Sequence, residues 1–267
     1  MILDQTYELL KAGHKDKLNN ISITDVRIGI FLTAIQLSDG SVGAASTNLD
    51  AHSNPYIKKR QFDSFSPGQI KGQKIIDLFE NHYDIKIINT LKVAALNALS
   101  SGIISSSHYK ILEGADPVDL LDLTTPKTIS IVGAFQSYIK IIAATGNKLN
   151  VLELDEDALN EDQKQYFVPA YRYPEILPAS DAVIITGLTL VNNTLDDLLD
   201  AVAPGAQVVV TGPSSSLIPD VLFKNKVKIL GGTRITIPDI LFDIVSQAGT
   251  GFHLFKYCAQ KFCIVNE

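Results

Sequence analysis

The chain has 267 residues, 46% of them hydrophobic and 19% charged, which is the profile of a soluble globular protein with room for one large or two ordinary domains. Its 29 acidic and 23 basic side chains give a formal charge of −6, and no basic run occurs, so nucleic acid is not an expected partner. No apolar stretch approaches the roughly 20 residues that span a bilayer, so no membrane partner is expected either.

The first 17 residues, MILDQTYELLKAGHKDK, carry Asp4 and Glu8 early and lack a long apolar core. They read as an amphipathic helix rather than a signal peptide, and the chain is assigned to the cytoplasm. Val26 to Leu37 is apolar and rich in β-branched and aromatic residues, and the turn signal Ser38-Asp39-Gly40 precedes the second strand SVGAASTNL. The pair predicts a hairpin. Ile75, Ile76, Leu78 and Phe79 suggest a short helix, and Leu91, Ala94, Ala95, Ala98 and Leu99 fall at helical spacing in a helix ending near Gly102. A further short helix is expected around Pro117 to Leu123. A hairpin followed by helices predicts a small α+β domain.

The polar stretch Asp122 to Thr128, with Pro126, divides the chain into domains 1–124 and 125–267. Beyond it, apolar strands at 128–132, 149–154, 182–186, 207–211 and 227–230 alternate with helical segments near 136–144, 194–202, 219–223 and 238–247. Short, fully apolar strands alternating with helices predict a Rossmann-like, doubly wound, mostly parallel sheet covered on both faces. The fold class is α/β.

Such sheets bind ligands outside the carboxyl ends of their strands, which makes each strand end a candidate. Gly133 ends the first strand, with Phe135 just before the following helix, but the three-glycine dinucleotide fingerprint is absent. Glu153 and Asp155 close the second strand about 20 residues on, where an acid can hold ribose hydroxyls. Glu153 is the likelier of the two to face the cleft. In VIITGLTLVNNTLDDLL, Thr194 is read as the cap of the next helix, with Asp197 three residues on. Thr186, Gly187, Thr189 and Asn192 remain as ligand contacts. Gly212, Pro213 and Ser214 end the fourth strand. Gly231 and Gly232 are read as the end of the fifth, with Thr233 and Arg234 beyond. Adjacent glycines admit a ligand or another segment close to the backbone. The Arg234 fork suits carboxylate or phosphate, or an interdomain salt bridge. Asn97 stands out as polar on a helix otherwise lined with Ala and Leu, either at a site or bonded to buried backbone.

Cys258 and Cys263 have four residues between them, not CxxC spacing, and read as core thiols. Histidines 14, 52, 82, 108 and 253 are scattered. No nucleophile elbow is present and no Ser/His/Asp set can be assembled.

The series GQIKGQKIIDLF, AALNALSS, VGAF, LELD, ITGLTLVNNT, GPSSSLIPDVLF and GGTRITIPDILF resembles the heavy-metal chelation family of uncharacterised proteins, over about residues 26 to 265. The resemblance implies an enolase-N-terminal-like domain, a Rossmann-like domain, and a site between them. It marks Gly68, Gly72 and Asn97 in the first domain, and Gly133, Thr186, Gly187, Asn192, Thr194, Gly212, Pro213, Ser214, Gly231 and Arg234 in the second. The expected function is an enzyme acting on a small polar molecule, pterin-, flavin- or siderophore-like, in the interdomain cleft. The alternative is a non-catalytic binder of a metal or metal–chelator complex. An adenosine-containing ligand and a divalent metal both stay open as cofactors. The expected partner is a small-molecule ligand, with a homodimer as an open option.

Overall fold

Apolar residues on one stripe of the first 17 residues fold them as a helix, and turn signals break the next 30 into strands. The computed structural model describes residues 1–48, 63–80 and 85–266. Helix α1 (Ile2–Leu18) leads into β1 (Ile23–Ile28), β2 (Leu32–Leu37) and β3 (Val42–Ser46), an antiparallel sheet ordered β1-β2-β3. This corrects the expected hairpin to a three-stranded meander. The apolar run Val26–Leu37 is two strands, folded at Gly29, where a Cβ would lie 2.3 Å from the Val245 carbonyl oxygen. Helices α2 (Ile75–Phe79) and α3 (Lys86–Ser106) follow. Helix α3 runs one turn beyond the expected stop at Gly102.

The remaining elements, in order, are β4 (Lys110–Glu113), β5 (Thr128–Val132), α4 (Gln136–Ala143), β6 (Lys148–Glu153), β7 (Phe167–Pro169), α5 (Tyr173–Ile176), β8 (Ala182–Thr186), α6 (Leu188–Val191), α7 (Leu195–Ala201), β9 (Gln207–Thr211), α8 (Asp220–Lys224), β10 (Val227–Ile235), α9 (Pro238–Ser246), α10 (Gly251–Tyr257) and β11 (Ala259–Val265). Eight strands form one sheet ordered β4-β11-β10-β9-β8-β5-β6-β7. The run from β7 to β10 is parallel, and β11 and β4 add an antiparallel edge. Numbered among themselves, the parallel strands follow the order 3-2-1-4-5-6 of doubly wound dinucleotide-binding sheets, with the switch point between β5 and β8. The chain passes from the small sheet to the large one between Ser106 and Lys110, ahead of the polar stretch at 122–128.

The small sheet is covered on both faces. Helix α3 lies so close on one side that a Cβ on Gly43 would sit 2.2 Å from the Ala94 carbonyl oxygen and 2.4 Å from the Ala98 nitrogen. On the other side Leu32, Ala34, Val42 and Ala44 pack with Leu241, Phe242 and Val245 of α9. The C-terminal helix α9 therefore clasps the N-terminal sheet. A single cluster of buried side chains also runs from Leu91 and Ala95 of α3 to Val183, Ile185 and Val210 of the large sheet. Close-packed cores of this kind hold their elements to sub-ångström tolerance.

Helix α3 is long and apolar enough to cross a membrane by length and composition, with a mean hydropathy of 1.4 over its best window. It holds no unbroken apolar run of about 20 residues, since Lys86, Asn89, Lys92, Asn97 and the serines interrupt it. In the fold, 67% of that window is buried inside the protein.

Candidate functional site

Two cavities gather the candidate residues. The first, about 300 Å³, lies between the sheets, where Gly43 and Ala44 of β3, Asn97 and Ser101 of α3, and Thr233 and Arg234 of β10 converge. The second, about 370 Å³, lies at the switch point, lined by Gly133, Glu153, Thr186, Thr189, Asn192 and the tyrosines 171 and 173, among others.

In the cleft between the two sheets, Asn97 donates through Nδ2 to the carbonyls of Ala44 (2.7 Å) and Pro213 (3.1 Å). Its amide thus ties α3 to β3 and to the loop after β9. Its Oδ1 is buried and has no partner among the described residues. The same holds for Thr233 Oγ1. Buried polar groups are ordinarily hydrogen-bonded, so each exception calls for a partner. The reading of Asn97 as an amide bonded to buried backbone holds for its Nδ2. Arg234 bonds Glu113 Oε1 through Nη1 at 2.7 Å, and its guanidinium lies 5.4 Å from the centre of the Phe262 ring. Among the described residues its other nitrogens have no acceptor. The fork is therefore anchored at one end, with donors left over.

The Gly231-Gly232 pair does not end a strand, as the sequence reading has it, for β10 continues through both to Ile235. A Cβ on Gly231 would lie 2.3 Å from Thr211 Oγ1, and one on Gly232 would lie 2.2 Å from the Phe262 ring. The close approach is by the chain's own side chains. The loop after β9 is likewise taken up internally. Ser214 Oγ accepts from the Ser46 amide, Ser215 Oγ donates to the Gly231 carbonyl, and Ser216 Oγ accepts from the Thr233 amide. Gly212 turns at φ +123° beside Gly187, whose own Cβ position is 3.0 Å from the Ser215 nitrogen. Gly187, Gly212, Ser214 and Gly231 thus line neither cavity. Pro213 reaches the interdomain cleft.

At the switch point the bonds are local. Thr189 Oγ1 donates to the Thr186 carbonyl at 2.6 Å, and Thr186 Oγ1 accepts from the Leu188 amide. The expected cap fails: Thr194 occupies the N-cap position, but its hydroxyl donates to Asn192 Oδ1 at 2.6 Å instead of accepting from the helix. The neighbouring Asn192 carboxamide competes successfully because the turn at Asn193 (φ +59°) folds it back. Glu153 Oε1 accepts from the Leu154 amide. Phe135 stacks on Tyr138 with ring centres 5.2 Å apart and lines neither cavity. Of the residues marked by resemblance in the first domain, Gly68 and Gly72 are positive-φ turn residues with nothing near their Cβ positions.

Sequence reasoning missed Ser101, Phe262, Tyr171, Tyr173 and Asp197 as cavity residues. Ser101 was within reach, since it sits four residues after Asn97 on the same helical face. The tyrosines follow short turns with no periodicity to read.

A family model described as "Putative heavy-metal chelation" matches residues 116–264, more than half of the chain. The chain belongs to that family. A second model with the same description matches residues 13–100. An uncharacterised protein of Methanocaldococcus jannaschii is 28% identical over 189 residues, covering 69% of this chain and 68% of its own. Crystal structures of two family members of unknown function share the fold. The one from Pyrococcus horikoshii has a TM-score of 0.77 at 21% identity over the whole of both chains. That from Desulfitobacterium hafniense has a TM-score of 0.74 at 18% identity, covering 98% of this chain and 99% of its own.

The family description raises a metal, and the side chains here do not fit one held directly. Soft or borderline metals need converging thiolates, imidazoles or carboxylates. Among the described residues no three His, Cys, Asp or Glu side chains come together. Cys258 and Cys263 are both buried, and burial, helped by the Asp116 charge, pushes the Cys263 thiol up to about 12. The thiolate, the form that ligates, is suppressed there. His52 and His82 lie outside the described residues.

Proposed function

We propose that this member of the family binds a small organic anion in the interdomain cleft, and that its link to heavy metals runs through such a molecule, a chelator or its metal complex, rather than through ligation by protein side chains. The observation that carries this reading is the partly engaged Arg234 fork on a cavity also lined by Asn97 and Thr233, whose buried Oδ1 and Oγ1 have no partner among the described residues and lie just behind its wall. Asn97 Oδ1 accepts a ligand N–H or O–H, Thr233 donates or accepts, and Arg234 holds the anionic group. A pterin, a flavin or a siderophore-like chelator presents this mixture of donors and charge.

The lining also bears on catalysis. Among the described residues that line this cleft, Arg234 alone carries a charge, and a guanidinium cannot serve as a base near neutral pH. Among the described residues, the nearest group able to exchange a proton is the Glu113 carboxylate, which is held in its pair with Arg234; this supports the binding reading. The test is thermal stability of protein stripped with a chelator, against pterins, flavins, siderophore-type chelators with and without iron, and divalent metals alone. A ligand at 100 times its Kd adds about 2.7 kcal/mol. The expected result is a shift with an organic compound, recovered unchanged, and none with metals alone. Thr233→Val should remove an unsatisfied hydroxyl, stabilise the free protein by about 1 kcal/mol, and weaken the ligand about tenfold. A shift with metals alone overturns the proposal.

A further inference from the structure

The switch-point cavity is a separate space, with its own lining and its own charge. Three observations define what it accepts. First, its walls are mainly apolar: Val132 and Leu152 at the strand ends, Leu188 and Leu198 from the helices. At its mouth Tyr171 is 77% exposed and Leu154 is 85% exposed, two large apolar side chains left in water beside an apolar cavity. A flat ring inserted there covers them, and the burial of apolar surface drives such binding.

Second, the charge on the cavity is negative. Glu153 and Asp197 line it, and no Lys or Arg among the described residues does. Glu153 uses Oε1 for the Leu154 amide at 2.7 Å, and among the described residues Oε2 has no partner. A carboxylate oxygen at the end of this strand, next to the switch point, is placed to accept from vicinal hydroxyls.

Third, the place where a phosphate would sit is closed. Gly133 turns at φ +108°, and the position of its missing Cβ is already met by Thr186 Cβ and Cγ2 at 3.1 Å. The backbone there is covered by the chain's own threonine. With no glycine pair beyond it and two carboxylates nearby, a pyrophosphate would be repelled at close range.

From these we infer that the switch-point cavity binds a nucleoside that carries no phosphate, neutral or positively charged: its base lies against Tyr171 and Leu154, and its ribose hydroxyls donate to Glu153. This differs from the dinucleotide and nucleoside triphosphate classes that the strand order alone would suggest. It is also independent of the ligand assigned to the interdomain cleft.

The experiment is isothermal titration of the full chain with adenosine and S-adenosylmethionine, and with ATP and NAD as phosphate-bearing counterparts. Adenosine or the sulfonium compound should bind, with ATP and NAD at least tenfold weaker. Glu153→Gln keeps an oxygen for the Leu154 amide, preserves the melting temperature, and should weaken nucleoside binding about tenfold or more. Tyr171→Ala removes an exposed side chain and should also weaken it, which keeps the test decisive if the Glu153 variant folds poorly. Equal or tighter binding of ATP or NAD overturns the inference. So does no binding of either phosphate-free nucleoside at millimolar concentration, or binding unchanged in both variants.

Discussion

The two ends of the parallel sheet's ligand-binding edge use similar residues in opposite ways. After β9 and along β10, the hydroxyls of Ser214, Ser215 and Ser216 reach groups 168, 16 and 17 residues away in sequence, and Ser215 adds one local bond to the Gly212 carbonyl. After β6 and β8, the oxygens of Glu153, Thr186, Thr189 and Asn192 bond groups one to three residues away. Long-range bonds between buried groups hold separate segments together. Local bonds shape a loop and leave its outer surface to meet something else. Small polar residues at a strand end are therefore not equivalent signs of a site, and the span of their hydrogen bonds separates cement from contact surface.

Substitutions sharpen this contrast, and the largest effect belongs to Gly231. A methyl there would meet Thr211 Oγ1 at 2.3 Å and Pro117 Cγ at 2.4 Å. Both are buried, Thr211 at the end of β9 and Pro117 in the turn packed over it, and cannot step aside. Gly231→Ala should cost about 3 kcal/mol in denaturant unfolding, with or without a ligand. A loss of binding at unchanged stability would instead restore the glycine to the site. Ser214→Ala comes next, because it leaves the Ser46 amide, which now bonds Ser214 Oγ at 2.8 Å, without its acceptor. The expected cost is about 1 to 2 kcal/mol, read as a lower denaturation midpoint at constant slope.

How far the sequence discloses this arrangement depends on the kind of interaction. The parallel strands 128–132, 182–186 and 207–211 stand out because strands buried on both faces are near-continuous apolar runs, and the structure has them at those bounds. In the segment YCAQKFCIV the sequence shows only two core thiols, Cys258 and Cys263, because Lys261 and Gln260 break the apolar run of the strand that follows Cys258. Its place is set by pairing with β10 on one side and β4 on the other. The same missing partner misled the reading of β10: Gly231 and Gly232 look like a terminator until Phe262 is seen to fill the space over the second of them. Asn97 was legible as an anomaly, because an amide among Ala and Leu needs a reason. That its Oδ1 is left without a partner is a three-dimensional fact. Arg234 was legible as a fork, and Glu113 as its partner was not.

The smallest effect is expected at Asn192, and it tests the other half of the contrast. Its Oδ1 accepts from the Thr194 amide at 3.2 Å and the Thr194 hydroxyl at 2.6 Å, all within a solvent-exposed turn. Water can replace a lost acceptor there, so Asn192→Ala should cost only about 0.5 kcal/mol. Because Asn192 lines the switch-point cavity, the same change should weaken nucleoside binding by more than it weakens the fold. Unfolding and titration on one variant give both numbers. A cost near that of Ser214→Ala would place this loop with the cement, and the span of a hydrogen bond would then no longer tell the two ends of the sheet apart.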